Sequence, residues 1–148
     1  MNIRFVHTSI NAKDWRALAA FYTDVFGCLP IMPEKDLSGE WIDSLTGSCG
    51  ARIRGMYLSM PGCEGVTLEI FSHEQESPDC APPPNTPGFG HLAFHVKDLE
   101  EMVRRVTAHG GHSLCEIAQS KSCDIGTLNT VYVSDPEGNI IELQNWGL

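Results

Sequence analysis

The chain has 148 residues, enough for one ordinary domain or two small modules sharing a core, with an apolar interior that needs no covalent staples. A formal charge of -9, from 19 acidic and 10 basic side chains, opposes the phosphate neutralisation on which nucleic-acid binding rests. No apolar run approaches the ~20 residues a bilayer requires, and the first residues, with Arg4, His7 and Asn11, lack the apolar region of a signal peptide, so a cytoplasmic protein without a membrane partner is expected.

Residues 3 to 11 alternate in polarity as a strand does. Asp14 is placed to cap a helix that carries Trp15, Leu18, Ala19, Phe21, Tyr22 and Phe26 at helical spacing, and Gly27 stops it. Segment 28 to 50 holds Pro30, Pro33, Gly39 and Gly47 around one short strand expected near Glu40 to Ile42. A strand pattern resumes from Ala51 to Met60, turns at Pro61-Gly62, and runs on to about Phe71. One βαβββ module, residues 1–72, results. Five prolines and no apolar periodicity mark 73–87 as a stiff, extended connector. The order then repeats over residues 88–148. A strand spans 89 to 96, and a helix runs from Asp98 through Leu99, Met102, Val103 and Val106 to a stop at Gly110-Gly111. Strands follow near 112 to 119, 127 to 134 and 139 to 146, the last two joined by the turn Asp135-Pro136-Glu137-Gly138-Asn139. The fold class is α+β. Six cysteines (28, 49, 63, 80, 115 and 123) contain no Cys-x-x-Cys and are read as reduced, mostly packed thiols.

The repetition reaches individual residues. His7-Thr8-Ser9-Ile10-Asn11-Ala12-Lys13-Asp14 aligns without a gap on His91-Leu92-Ala93-Phe94-His95-Val96-Lys97-Asp98 at an offset of 84, which also sets Gly27 on Gly111. Each copy later carries an apolar strand with one embedded carboxylate, Val66-Thr67-Leu68-Glu69-Ile70-Phe71 and Ile140-Ile141-Glu142-Leu143-Gln144. Strand side chains alternate faces, so His7 shares a face with Phe5, Ser9 and Asn11, and His91 with Phe89, Ala93 and His95. A lone strand histidine is ordinarily a packed residue, and a lone glutamate belongs to a wet edge. Two glutamates flanked by Leu and Ile, each matched to a histidine in a duplicated frame, call for one shared explanation. A divalent cation held by two imidazoles and two carboxylates supplies it, with Zn, Ni, Co, Mn or Fe(II) favoured over Ca or Mg by those donors.

The duplicated βαβββ pattern, Phe21-Tyr22-x-x-Val25-Phe26-Gly27, Gly88-x-Gly90-His91-Leu92-Ala93-Phe94-x-Val96 and Asp135-Pro136-Glu137-Gly138-Asn139-Ile140-Ile141-Glu142-Leu143 resemble the vicinal oxygen chelate superfamily over nearly the whole chain. That superfamily includes glyoxalase I, methylmalonyl-CoA epimerase, extradiol dioxygenases, fosfomycin-resistance enzymes and bleomycin-binding proteins. The resemblance implies two modules curling into a cup-shaped eight-stranded mixed sheet with helices outside. It also implies His7, Glu69, His91 and Glu142 as ligands of one divalent metal per site, a set most similar to that of bacterial glyoxalase I. Family epimerases tend to carry Gln at the place of Glu69, which counts against that activity.

The implied function is a metal-dependent lyase or isomerase that moves a proton beside a metal-bound oxygen of a small carbonyl substrate, with Glu142 or Glu69 as the base. Two alternatives stand beside it. An Fe(II) extradiol-type dioxygenase would use His95 as an acid or base near the metal, and a non-catalytic drug or metabolite binder would use the pocket alone. Asn11 and His95 occupy equivalent places flanking the ligands, and Phe71, Phe89, Trp41 and Trp146 are candidate pocket walls. His73, His109 and His112 read as surface groups. A thiol-adduct substrate such as one of glutathione needs cationic contacts, yet Arg4, Arg16, Arg52, Arg54 and Lys121 are scattered along the chain. Modules of this superfamily pair within a chain or by exchange between two, and a homodimer is expected.

Overall fold

A computed structural model describes residues 3–74, 87–122 and 126–147. The chain divides into two compact units, Met1–Pro78 and Asp79–Leu148. Most of the expected connector, 75–86, lies outside the described residues.

The first unit contains β1 (His7–Asn11), α1 (Trp15–Phe26), β2 (Leu29–Ser38), α2 (Glu40–Thr46), β3 (Arg52–Ser59) and β4 (Thr67–His73). Its sheet has the order β1-β4-β3-β2, with β1 and β4 parallel and the other pairs antiparallel. The Asp14 side chain accepts hydrogen bonds from the amides of Arg16 and Ala17, both at 3.1 Å, which satisfies two of the free donors at the start of α1. Gly27 ends the helix at φ 72°, a left-handed conformation that a Cβ would penalise. One face of α1 buries Leu18, Phe21, Tyr22 and Val25 against β3 and β4, whose Leu58, Leu68 and Ile70 are fully buried. Each such aliphatic side chain contributes about 1.5–3 kcal/mol.

The segment that sequence periodicity reads least well differs from expectation. Glu40 to Ile42 starts α2 and is not a strand. Gly39 at φ 98° leads into this single short helix and Gly47 at φ 70° ends it; Ile42 is its buried anchor. The Asp43 carboxylate then ties the following turn through the amides of Gly50 and Ala51, at 3.0 and 2.8 Å. β2 carries Pro30 and Pro33 because it is the edge strand of the sheet, with a register slip between Ile31 and Lys35, and an edge position tolerates a missing N–H.

The second unit contains β5 (Leu92–His95), α3 (Leu99–Ala108), β6 (His112–Ser113), β7 (Ala118–Ser122), β8 (Gly126–Ser134) and β9 (Ile140–Gly147). The sheet order β5-β9-β8-β6 repeats that of the first unit, again with first and last strands parallel, and β7 also pairs with β8. Asp98 caps α3 through the Glu101 amide at 2.9 Å, and α3 buries Leu99 and Val106. At Gly111 an added Cβ would strike the Ser134 carbonyl and Val106, so helix and sheet close on one another there. The strand expected over 112 to 119 is two short strands. Between them the Cys115 sulfur, not a ladder carbonyl, receives the Tyr132 amide at 3.3 Å. The turn at 135–139 is organised by buried Asp135, whose carboxylate accepts from the Glu137 amide and from both the amide and side chain of Asn139.

The α+β class therefore stands, but the described residues form two mixed sheets of four and five strands with three helices, where a single eight-stranded sheet was expected. The strand ladders stay within each unit, and the break at Cys115 adds a strand. Among the described cysteines only Cys28 is packed; Cys49, Cys63 and Cys115 are exposed, which corrects the expectation of mostly buried thiols. Cys49 and Cys63 lie in turns, where backbone groups face water. Cys80 and Cys123 lie outside the described residues. No helix among the described residues is long and apolar enough to cross a membrane.

Candidate functional site

The two units build the same local constellation by the same route. In the first, Ser9 on β1 is level with Glu69 on β4, so His7, two residues earlier on that face, leans toward the carboxylate. His7 Nδ1 lies 3.4 Å from Glu69 Oε1. In the second, Ala93 is level with Glu142, and His91, two residues earlier, places Nε2 3.0 Å from Glu142 Oε2. Both glutamate side chains are 18% exposed, and their strand neighbours Leu68, Ile70, Ile141 and Leu143 are fully buried on the opposite face. Each carboxylate thus rises from a packed sheet toward a half-exposed imidazole.

A tyrosine completes each constellation. Tyr57 on β3 is level with Glu69, and Tyr132 on β8 is level with Glu142. Burial, and then the Glu69 charge, push the Tyr57 phenol above its ordinary pKa. The Tyr132 ring lies 5.2 Å from the His91 ring. Sequence reading missed both tyrosines. Counting back from each embedded glutamate across its hairpin to the facing strand would have found them.

The pairs differ in their supports. Glu142 Oε1 accepts a 2.7 Å hydrogen bond from Thr130 Oγ1, which also lies 3.2 Å from the Leu143 carbonyl. In the first unit, Phe71 stacks edge-on against Tyr57 at 5.6 Å, and Lys35 Nζ lies 5.4 Å from the Tyr57 ring centroid. A cavity of about 230 Å³ adjoins His91, lined by Gly90, Leu114, Cys115, Tyr132 and Ile140.

The remaining expected residues are more dispersed. Asn11 lies on the His7 face, with Oδ1 3.2 Å from Nε2 of His73, which is the last residue of β4 and not part of a connector. Phe71 shares that face and is buried against Tyr57. His95 is exposed at the end of β5, level with Gln144. Phe89, 78% exposed, precedes β5, while Trp41 on α2 and Trp146 on β9 are also exposed. His109 caps α3 and His112 opens β6, both exposed as anticipated.

Among the described residues, no group of three or more His, Cys, Asp or Glu gathers as a metal site. Each unit presents two donors. Their spacing suits a shared cation: two donors each about 2.1 Å from a metal are ~3.0 Å apart at a right angle and ~3.4 Å apart at a tetrahedral angle. The imidazole nitrogen and carboxylate oxygen are also the donor types that first-row divalent metals take.

A family model described as Glyoxalase/Bleomycin resistance protein/Dioxygenase superfamily matches residues 4–143. A lactoylglutathione lyase of Arabidopsis thaliana is 27% identical over 96% of this chain, and the chain spans only 44% of that relative's length. A probable lactoylglutathione lyase of Vibrio parahaemolyticus is 25% identical over 96% of this chain and 90% of its own. Among solved structures, a glyoxalase family protein from Bacillus cereus superimposes with a TM-score of 0.74 at 22% identity, covering 97% of this chain and 93% of that one. A mutant fosfomycin resistance protein from Listeria monocytogenes, complexed with Mn(II) and a dihydroxypropylphosphonic acid, gives 0.58 at 15% identity over 100% and 96% of the two chains.

Proposed function

The chain belongs to the Glyoxalase/Bleomycin resistance protein/Dioxygenase superfamily, and from that premise we propose that it is a divalent-metal-dependent lyase or isomerase acting on a small carbonyl substrate. The observation that carries the reading is the His–Glu pair repeated at one register position in both units. The donors this reading offers to the cation are His7 and Glu69 in the first unit and His91 and Glu142 in the second. The lactoylglutathione lyase names of the Arabidopsis and Vibrio relatives support the choice of chemistry.

When bound, the cation supplies Lewis-acid polarisation of a substrate oxygen. The chain's own groups do the rest. Thr130 fixes the Glu142 carboxylate in place. Glu69, held more loosely at 3.4 Å from His7, is the carboxylate free to take a proton from the carbon beside that oxygen and return it to the neighbouring carbon. A base so positioned accelerates the step by about 10²- to 10⁴-fold. Tyr57 and Tyr132 flank the two pairs with aromatic surface, each level with its glutamate.

Metal content of protein purified without added metal, followed by assay with methylglyoxal plus glutathione and with catechols in the presence and absence of oxygen, tests the reading. Isomerisation of the glutathione adduct, abolished by Glu69→Gln and by chelation, is the expected result. Turnover that requires oxygen would replace this reading with ring cleavage, and a protein that binds no metal would end it.

A further inference from the structure

We infer that Tyr57 is a catalytic hydrogen-bond donor: its phenol hydroxyl binds the substrate oxygen on which negative charge gathers while Glu69 takes a proton from carbon. The inference rests on the function proposed above and adds a residue to it. The chain has three tyrosines. Tyr22 is fully buried in the core of the first unit, whereas Tyr57 and Tyr132 stand on the sheet faces that carry the His–Glu pairs, each level with the glutamate. A strand tyrosine is ordinarily a packing residue. Here the same residue type returns at the same register position in both units, as the histidine and the glutamate do.

Hydrogen bonding separates these two tyrosines from a packing role. Among the described residues neither phenol hydroxyl has a hydrogen-bond partner, and no polar side-chain atom is buried without one. Both hydroxyls therefore reach the open side of their sheets with an unused donor. Of the two, Tyr57 is the better prepared. Its half-buried ring meets Phe71 edge-on at 5.6 Å, and Lys35 Nζ lies 5.4 Å from the ring centroid, so the ring is held by two neighbours. Tyr132 is 41% exposed, and its glutamate already accepts the Thr130 hydroxyl at 2.7 Å. A donor fixed in place before charge develops needs no reorganisation when it does.

Register puts this donor beside the base. Level residues on neighbouring strands have Cβ atoms about 4.5–5.5 Å apart, and a tyrosine side chain is longer than that of glutamate. A substrate carbon set against Glu69 therefore brings its neighbouring oxygen toward the phenol. The proton leaves carbon for the Glu69 carboxylate, and the electron pair shifts toward that oxygen. The phenol O–H bond stays intact while its hydrogen bond strengthens. Glu69 then returns the proton to the adjacent carbon, so no further reactant is consumed.

The test compares metal-loaded wild type, Tyr57→Phe and Tyr132→Phe. Phenylalanine keeps the ring, so the metal-free variants should melt within a few degrees of wild type. With the methylglyoxal adduct of glutathione, Tyr57→Phe should lower kcat by about 100-fold, the lower end for loss of one oxyanion donor, and change KM by less than about threefold. Tyr132→Phe should lower kcat by less than about threefold. Titration calorimetry with acetohydroxamate, which presents an oxyanion and does not turn over, gives a second readout. Tyr57→Phe should bind it about 10-fold more weakly, and should bind imidazole, which has no oxygen, as wild type does. An unchanged kcat in Tyr57→Phe, acetohydroxamate binding that does not depend on Tyr57, or an equal loss of kcat in Tyr132→Phe overturns the assignment, while turnover by wild type leaves the proposed activity standing. Tyr57-dependent binding of acetohydroxamate by a wild type that turns over no adduct upholds the donor and removes the proposed activity instead.

Discussion

Thr130→Val probes the support beneath one half of the proposed metal centre. The Thr130 hydroxyl has one proton and two acceptors, Glu142 Oε1 at 2.7 Å and the Leu143 carbonyl at 3.2 Å. The shorter, charge-assisted contact takes that proton. Valine keeps the shape and β-branching that suit a strand, so the substitution removes the hydroxyl with little other change. A bond of this type contributes about 1.5–3 kcal/mol. Because Thr130 is half-buried, the lower end applies, and ~1.5 kcal/mol corresponds to roughly a 10-fold loss of affinity for a divalent metal, within the range found for groups that orient ligands. Competition of Co(II) or Zn(II) against a chelating dye measures it. Thr130→Ser should bind like wild type, and the metal-free variants should melt within a few degrees of it. If Thr130→Val binds metal as tightly as wild type, or Thr130→Ser as weakly as Thr130→Val, the hydroxyl does not hold Glu142 for the metal.

Gly55→Ala should lower stability by about 1–3 kcal/mol, because the added methyl would meet the Ile70 carbonyl and the Phe71 ring. Thermal unfolding should show a Tm lower by roughly 3–10 °C, and an unchanged Tm would mean that β3 and β4 do not approach so closely. Asp135→Ala leaves the Glu137 amide and both Asn139 donors without their buried acceptor and should cost about 3 kcal/mol by urea titration; a loss below 1 kcal/mol would count against the turn described. Burial pushes the Cys28 thiol up to about 11, so at pH 8 only about one molecule in a thousand carries the thiolate. Iodoacetamide mapping of native protein should label Cys49, Cys63 and Cys115 and spare Cys28 until the chain is unfolded; early labelling of Cys28 would contradict its packing.

The elements easiest to read in the sequence were those whose signals are local. Asp14 and Asp98 cap α1 and α3, Gly27 stops α1, and Asp135 through Asn139 turn as their side-chain chemistry dictates. The His–Glu pairs were legible for a different reason. The duplication displays each residue twice, so a carboxylate between apolar neighbours could not be dismissed as an accident. What stayed hidden depends on tertiary position. Pro30 and Pro33 argue against a strand unless β2 is known to lie at an edge, and α2 is too short to show a helical period. Tyr57 and Tyr132 gain meaning only from cross-strand register, which no single stretch of sequence reveals.

The parallel pairing of β1 with β4, and of β5 with β9, joins the first strand of each unit to its last. Such neighbours cannot meet through a tight hairpin; the intervening chain must already have looped round and laid down the strands between. Each imidazole therefore reaches its acid only when its unit is essentially complete, and a partly built unit offers an ion no chelating pair. Cation uptake during refolding should consequently lag behind helix formation and coincide with the final closure of each sheet.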